Sequence, residues 1–84
     1  MTREEAEEAC EGEPGVLFCD GYDNCILGVV HHPVCKVVYD GDAMLQAMVD
    51  DWAEDIEEAM EHMAYNIEGS YVGEHTPLYV YGVS

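Results

Sequence analysis

The chain predicts an α+β domain. The expected sheet has three antiparallel strands, near 25–31, 35–39 and 78–81, with two helices near 42–52 and 55–68 packed on one face and a short N-terminal helix. Three observations carry this. Cys25–His31 and Cys35–Tyr39 are apolar, β-branched runs on either side of His32-Pro33-Val34. Apolar residues then recur at helical spacing from Met44 to Ile67, with no Gly or Pro between 42 and 68. Finally, Leu78-Tyr79-Val80-Tyr81 alternates at period two. At 84 residues the whole chain, 1–84, makes one domain. Residues 1–13 are expected as an acidic N-terminal helix or a frayed arm.

The elements follow in chain order. Thr2, with Glu5 three residues on, has the capping-box pattern, but Ala6, Ala9 and Cys10 give only a thin apolar stripe. Such a helix is marginal alone. Glu13-Pro14-Gly15 ends it. Val16–Cys19 is expected as a helical turn ending at Gly21 with Phe18 buried, followed by a polar connector, Asp20–Asn24. The two strands 25–31 and 35–39 form a hairpin, and Gly28 in mid-strand suggests a bulge or a close helix contact. Asp40 or Gly41 caps the next helix, with Asp42 in its first turn. Met44, Leu45, Met48, Val49 and Trp52 mark its apolar face; Ile56, Ala59, Met60, Met63, Ala64 and Ile67 continue it. Asp55-Ile56-Glu57-Glu58 repeats the capping pattern, so two helices with a kink near 52–55 are expected rather than one of about 26 residues. The inner face from Trp52 to Met60 should build the core, and Gly69 should cap the end.

Charge is the unusual property. Nineteen acidic residues face only Arg3 and Lys36, for a net charge of -17, while a hydrophobic fraction of 49% argues for a folded chain. That much self-repulsion costs stability. Direct binding to nucleic acid is excluded as a main role, since it needs cations to displace counterions. Anionic membrane is excluded on the same ground, and no apolar run reaches the length of a span.

The four cysteines, Cys10, Cys19, Cys25 and Cys35, form no C-x-x-C pair, and no basic-then-apolar leader precedes them. They are expected as reduced, buried small hydrophobes in a cytoplasmic protein. His31, His32 and Cys35 offer three metal-ligand types, with His62 or His75 as a fourth. Adjacent strand residues point to opposite faces, and the spacing matches no zinc pattern, so no metal is expected. Nor is a cofactor expected: Gly12-Glu13-Pro14-Gly15 has no following Lys, and the Asp20 and Asp40 turns lack the later bidentate Glu of a calcium loop. A Cys–His enzyme is the weakest class, since no nucleophile elbow or thiol-protease signature is present.

The candidate partner-binding residues are therefore Asp50, Asp51, Glu54, Asp55, Glu57, Glu58 and Glu61. On a straight helix the twelve residues 50–61 would span about 18 Å, or about one charge per 2.6 Å, against about one per 1.7 Å along duplex DNA. Six glutamates within residues 4–13 could extend the surface. Such a surface competes for a groove built to hold phosphates. Adaptation to high salt and simple solubility are the blander accounts of the same charge. Met44, Met48, Met60 and Met63 are foremost core residues, but four methionines plus Trp52 strain so small a domain. A homodimer through the Met/Trp face is the alternative.

From Val37 onward the chain resembles a family of small acidic proteins encoded by bacteriophages and prophages. The resemblance lies in Val37–Met44 and in Glu57–Val80, including Tyr65-Asn66, Gly69, Tyr71-Val72-Gly73-Glu74 and Thr76-Pro77. It covers a little over half of the chain. The chain departs from that family in lacking the Gly that often separates the two helices. The resemblance implies a phage origin and a host-takeover role in the host cytoplasm. By analogy of class, that includes the anti-CRISPR proteins, several of which are acidic nucleic-acid mimics. The expected function is thus non-enzymatic inhibition of a basic, nucleic-acid-binding host protein.

Overall fold

The computed structural model describes residues 1–52, 55–68 and 73–82, apart from the side chains of Trp52, Asn66 and Glu68. Helix α1 (Arg3–Ala9) opens the chain with the full capping box: Thr2 Oγ1 accepts the Glu5 N–H at 3.1 Å, and Glu5 accepts the Thr2 N–H at 2.9 Å. A short 3-10 turn, Asp23–Cys25, leads into strand β1 (Ile26–Val30). Strand β2 (Lys36–Asp40) follows, then α2 (Gly41–Trp52), α3 (Ile56–His62), a π-helical extension (Met63–Glu68) and β3 (Leu78–Val80).

The sheet has the order β1-β2-β3 and is mixed, which corrects the expectation of a wholly antiparallel one. β1 and β2 are the antiparallel hairpin. β3 instead lies parallel to β2, with Val38, Tyr39 and Asp40 opposite Leu78, Tyr79 and Val80. The cause is the connection: α2 and α3 lie between these strands, so β3 is reached by a crossover and not by a turn. In β1, register advances two residues from Ile26 to Gly28 against one in β2. That is the bulge the mid-strand glycine suggested. The alternative, a close helix contact there, does not hold, because a Cβ at Gly28 would meet nothing within 4 Å.

The core draws on every layer. Ala6 of α1, Val37 and Tyr39 of β2, Met44 and Met48 of α2, and Ala59 of α3 are fully buried, with Ile26 and Met63 nearly so. The expected helical turn at Val16–Cys19 is absent: the segment is irregular and Phe18 is only partly buried. Its backbone is held by a side chain instead, since the Cys19 N–H donates to the Tyr39 hydroxyl at 2.7 Å. The helical turn falls further on, at Asp23–Cys25, next to a buried Tyr22.

The expectation of four reduced cysteines is also corrected. Cys10 and Cys35 form a disulfide, with Cα atoms 5.9 Å apart. α1 docks on β1, which brings its C-cap to the start of β2 across 25 residues of sequence. Spacing alone carries no signal of such a pair. Cys19 and Cys25 remain free thiols.

Candidate acidic interface

The acidic stretch is built by two helices. Asp40 opens α2, its carboxylate accepting the Ala43 N–H at 3.1 Å. α2 ends at Trp52, and Asp55 starts α3 as its N-cap, accepting the Glu58 N–H at 2.8 Å. The two-helix expectation therefore holds, and the straight-helix charge spacing applies only within each piece. Asp50 and Asp51 sit exposed on the last turn of α2, where Gln46 donates to Asp50 at 2.9 Å. Asp55, Glu57, Glu58 and Glu61 are exposed on α3. Glu54 lies outside the described residues. Over residues 55–61 the four carboxylates keep about one charge per 2.6 Å at a helical rise of about 1.5 Å.

The inner face is not the one expected. Of the α3 residues, Ala59 is buried, while Ile56 is 54% and Met60 56% exposed. Met63 is buried just beyond, and Ala64 and Tyr65 are exposed. The core thus takes the Ala59–Met63 stripe and leaves the Ile56–Met60–Ala64 stripe to solvent. The Trp52 side chain lies outside the description. Asp42, Leu45, Ile56, Met60, Met63, Ala64 and Tyr81 line an open groove of about 520 Å³. Sequence periodicity cannot separate these stripes, because the apolar residues on α3 wrap wider than the face that packs against α2 and the core.

The segment that carries Tyr81 is held against the start of α2. The Gly82 N–H donates to the Asp42 carboxylate at 2.7 Å. A Cβ on Gly41 would overlap the Tyr81 ring, so the bare backbone of Gly41 lets the C-terminal strand lie against the start of α2.

The scarce cations stand elsewhere. Arg3 lies 4.4 Å over the Phe18 ring and within 3.3–3.8 Å of Asp20, Asp23 and Glu7. Its role is to pin α1 to the connector. A lone Arg among so many carboxylates was the available signal for this role. Lys36 begins β2. No Lys or Arg is present on α2, α3 or β3.

His75 Nε2 lies 2.6 Å from Glu13 Oε2, which also accepts the Cys35 N–H at 3.0 Å. The His75 hydrogen bond, then that of Cys35, holds the Glu13 carboxyl below its ordinary value. His31 and His32 are exposed, and Cys35 is taken by the disulfide. Among the described residues no group of three or more His, Cys, Asp or Glu side chains is placed to hold a metal ion. The Cys19 thiol is hydrogen-bonded to the Tyr79 hydroxyl at 2.9 Å. Burial pushes the pKa of both free thiols up, away from the thiolate a nucleophile needs. No helix of the described residues is long and apolar enough to cross a membrane.

Comparison with known proteins returns no matching family model, no matching curated protein and no matching solved structure.

Proposed function

We propose that the chain is a non-enzymatic acidic protein of phage type that binds and inhibits a basic, nucleic-acid-binding host protein, an anti-CRISPR or similar anti-defence mimic. The observation that carries this is the exposed α3 face, where Asp55, Glu57, Glu58 and Glu61 stand together without a neighbouring Lys or Arg on α2, α3 or β3. Clustered single-sign charge steers a partner of opposite sign and makes association fast and salt-sensitive. Asp50 and Asp51 are also exposed, on the last turn of α2, where they line a separate hollow with Asn24, Ala43, Gln46 and Ala47. Its site of action in this proposal is the host cytoplasm. The Cys10–Cys35 bridge withdraws the thiol argument for that location, which then rests on the proposed partner.

The test is capture of a basic protein from host lysate on immobilised protein, with Glu57→Lys, Glu58→Lys and Glu61→Lys combined as the comparison. These three side chains are exposed, so the fold should persist. Loss of capture supports the proposal, and unchanged capture contradicts it.

A second proposal, an accessory phage protein acting as a homo-oligomer, is favoured by the exposure of Ile56 and Met60. Light scattering separates the two: an obligate oligomer whose methionines resist oxidation supports the second.

A further inference from the structure

We infer that the groove between α2 and α3 receives the apolar side of a basic amphipathic helix belonging to the partner protein. This rests on the proposed function and deepens it, since it names the partner's recognition element. Ile56, Met60 and Ala64 stand at four-residue intervals and form one exposed stripe along α3 and its extension. Each step is about 6 Å at a rise of about 1.5 Å per residue. That is also the spacing of apolar i and i+4 residues on an incoming helix, the usual anchors of helix-in-groove recognition. Leu45 and Tyr81 wall the trough, and Met60 supplies an adaptable surface.

Charge identifies the occupant. Glu57 lies three residues before Met60 and Glu61 three before Ala64, so an acidic stripe runs beside the apolar one. Asp42, whose carboxylate also accepts the Gly82 N–H, adds an acidic group to the groove lining. A helix that buries apolar residues here must therefore present Lys or Arg on its flanks. A second copy of this chain meets the opposite situation: each copy carries a net charge of -17, and neither α2 nor α3 holds a Lys or Arg to pair with the rim. The groove thus discriminates among basic partners, favouring those with apolar anchors over those that are merely cationic.

The experiment uses two synthetic probes of about 14 residues: a Lys–Leu amphipathic peptide with Leu at i, i+4 and i+7, and oligolysine of equal charge. Binding is read by fluorescence anisotropy against the intact protein, Ile56→Ala/Met60→Ala, and Glu57→Lys/Glu61→Lys. The expected result is about tenfold tighter binding of the Lys–Leu peptide than of oligolysine. Ile56→Ala/Met60→Ala should erase that margin and leave oligolysine binding unchanged. Both substituted residues are exposed, and circular dichroism confirms that the fold is retained. Equal affinities for the two probes, or a margin that survives the alanine variant, overturns the groove inference while the acidic-face proposal stands. Oligolysine binding that ignores Glu57→Lys/Glu61→Lys overturns the acidic-face proposal and the groove inference with it. Sedimentation adds a further contradiction: a dimer that the alanine pair turns into a monomer would make the occupant a second copy.

Discussion

Tyr39 ties the central strand both to its neighbour and to the irregular segment before β1. It is fully buried on the central strand and its ring stacks on Tyr79, its register neighbour, at a centroid distance of 5.9 Å. Its hydroxyl accepts the Cys19 N–H and thereby holds the irregular Val16–Cys19 segment on the sheet. Burial pushes its pKa up to about 12. A raised value means that the folded state favours the neutral phenol. The corresponding stability is full below pH 10 and is lost as pH rises towards 12. One tyrosine should therefore titrate near pH 12 in an ultraviolet absorbance titration, and Tyr39→Phe should remove that step. The same substitution leaves the Cys19 N–H without its acceptor and should cost about 1 kcal/mol in urea unfolding. Gly41→Ala should cost about 1–3 kcal/mol, because the new methyl group drives the Tyr81 ring off α2. Neither role was legible in the sequence. Tyr39 read only as a strand residue and Gly41 only as a cap, since both depend on partners 20 and about 40 residues away.

At the scale of elements, the capping and bulge signals were read well, whereas the Val16–Cys19 turn and the long-range pairings were not. The capping patterns at Thr2 and Asp55 are written within four residues; the full box forms at Thr2, and at Asp55 the N-cap bond from the Glu58 N–H forms. The Gly28 bulge and the break between α2 and α3 are equally local. Asp55→Ala should thus destabilise the protein by about 1 kcal/mol by removing the α3 cap, measurable by chemical denaturation. The direction of β3 and the Cys10–Cys35 bridge were not legible, because each is decided by how the helices dock. The bridge closes a 25-residue separation and ties α1, short and marginal by itself, to β2. Cys10→Ser/Cys35→Ser, or a strong reductant, should cost about 3 kcal/mol. α1 should show the greatest gain in amide exchange. The nearby Glu13 reports through acid: its carboxyl is held below the ordinary 4.5, chiefly by His75. Its contribution is present above pH 4.5 and is lost as pH falls through the lowered value.

Across the whole molecule the governing quantity is the net charge of -17. Self-repulsion among exposed carboxylates opposes folding, so the melting temperature should rise with salt over the range where the Debye length shrinks from about 30 to about 8 Å. Binding to a basic partner should respond in the opposite direction and weaken. The size of the charge was plain from composition. Its division between Asp50 and Asp51 on α2 and Asp55, Glu57, Glu58 and Glu61 on α3 follows the two-helix reading, but the apolar trough beside α3 was not legible. The trough escaped notice because Ile56 and Met60 fit the apolar periodicity of a core helix, and only the packing of Ala59 and Met63 shows which stripe is buried. The central claim, that this acidic face occupies a protein surface made for nucleic acid, is tested most directly by competition. The protein is immobilised, host lysate is passed over it, and captured material is challenged with duplex DNA. The account predicts a basic protein that duplex DNA displaces and that the Glu57→Lys/Glu58→Lys/Glu61→Lys variant does not retain. Capture that is indifferent to DNA, or equal on the variant, would contradict it.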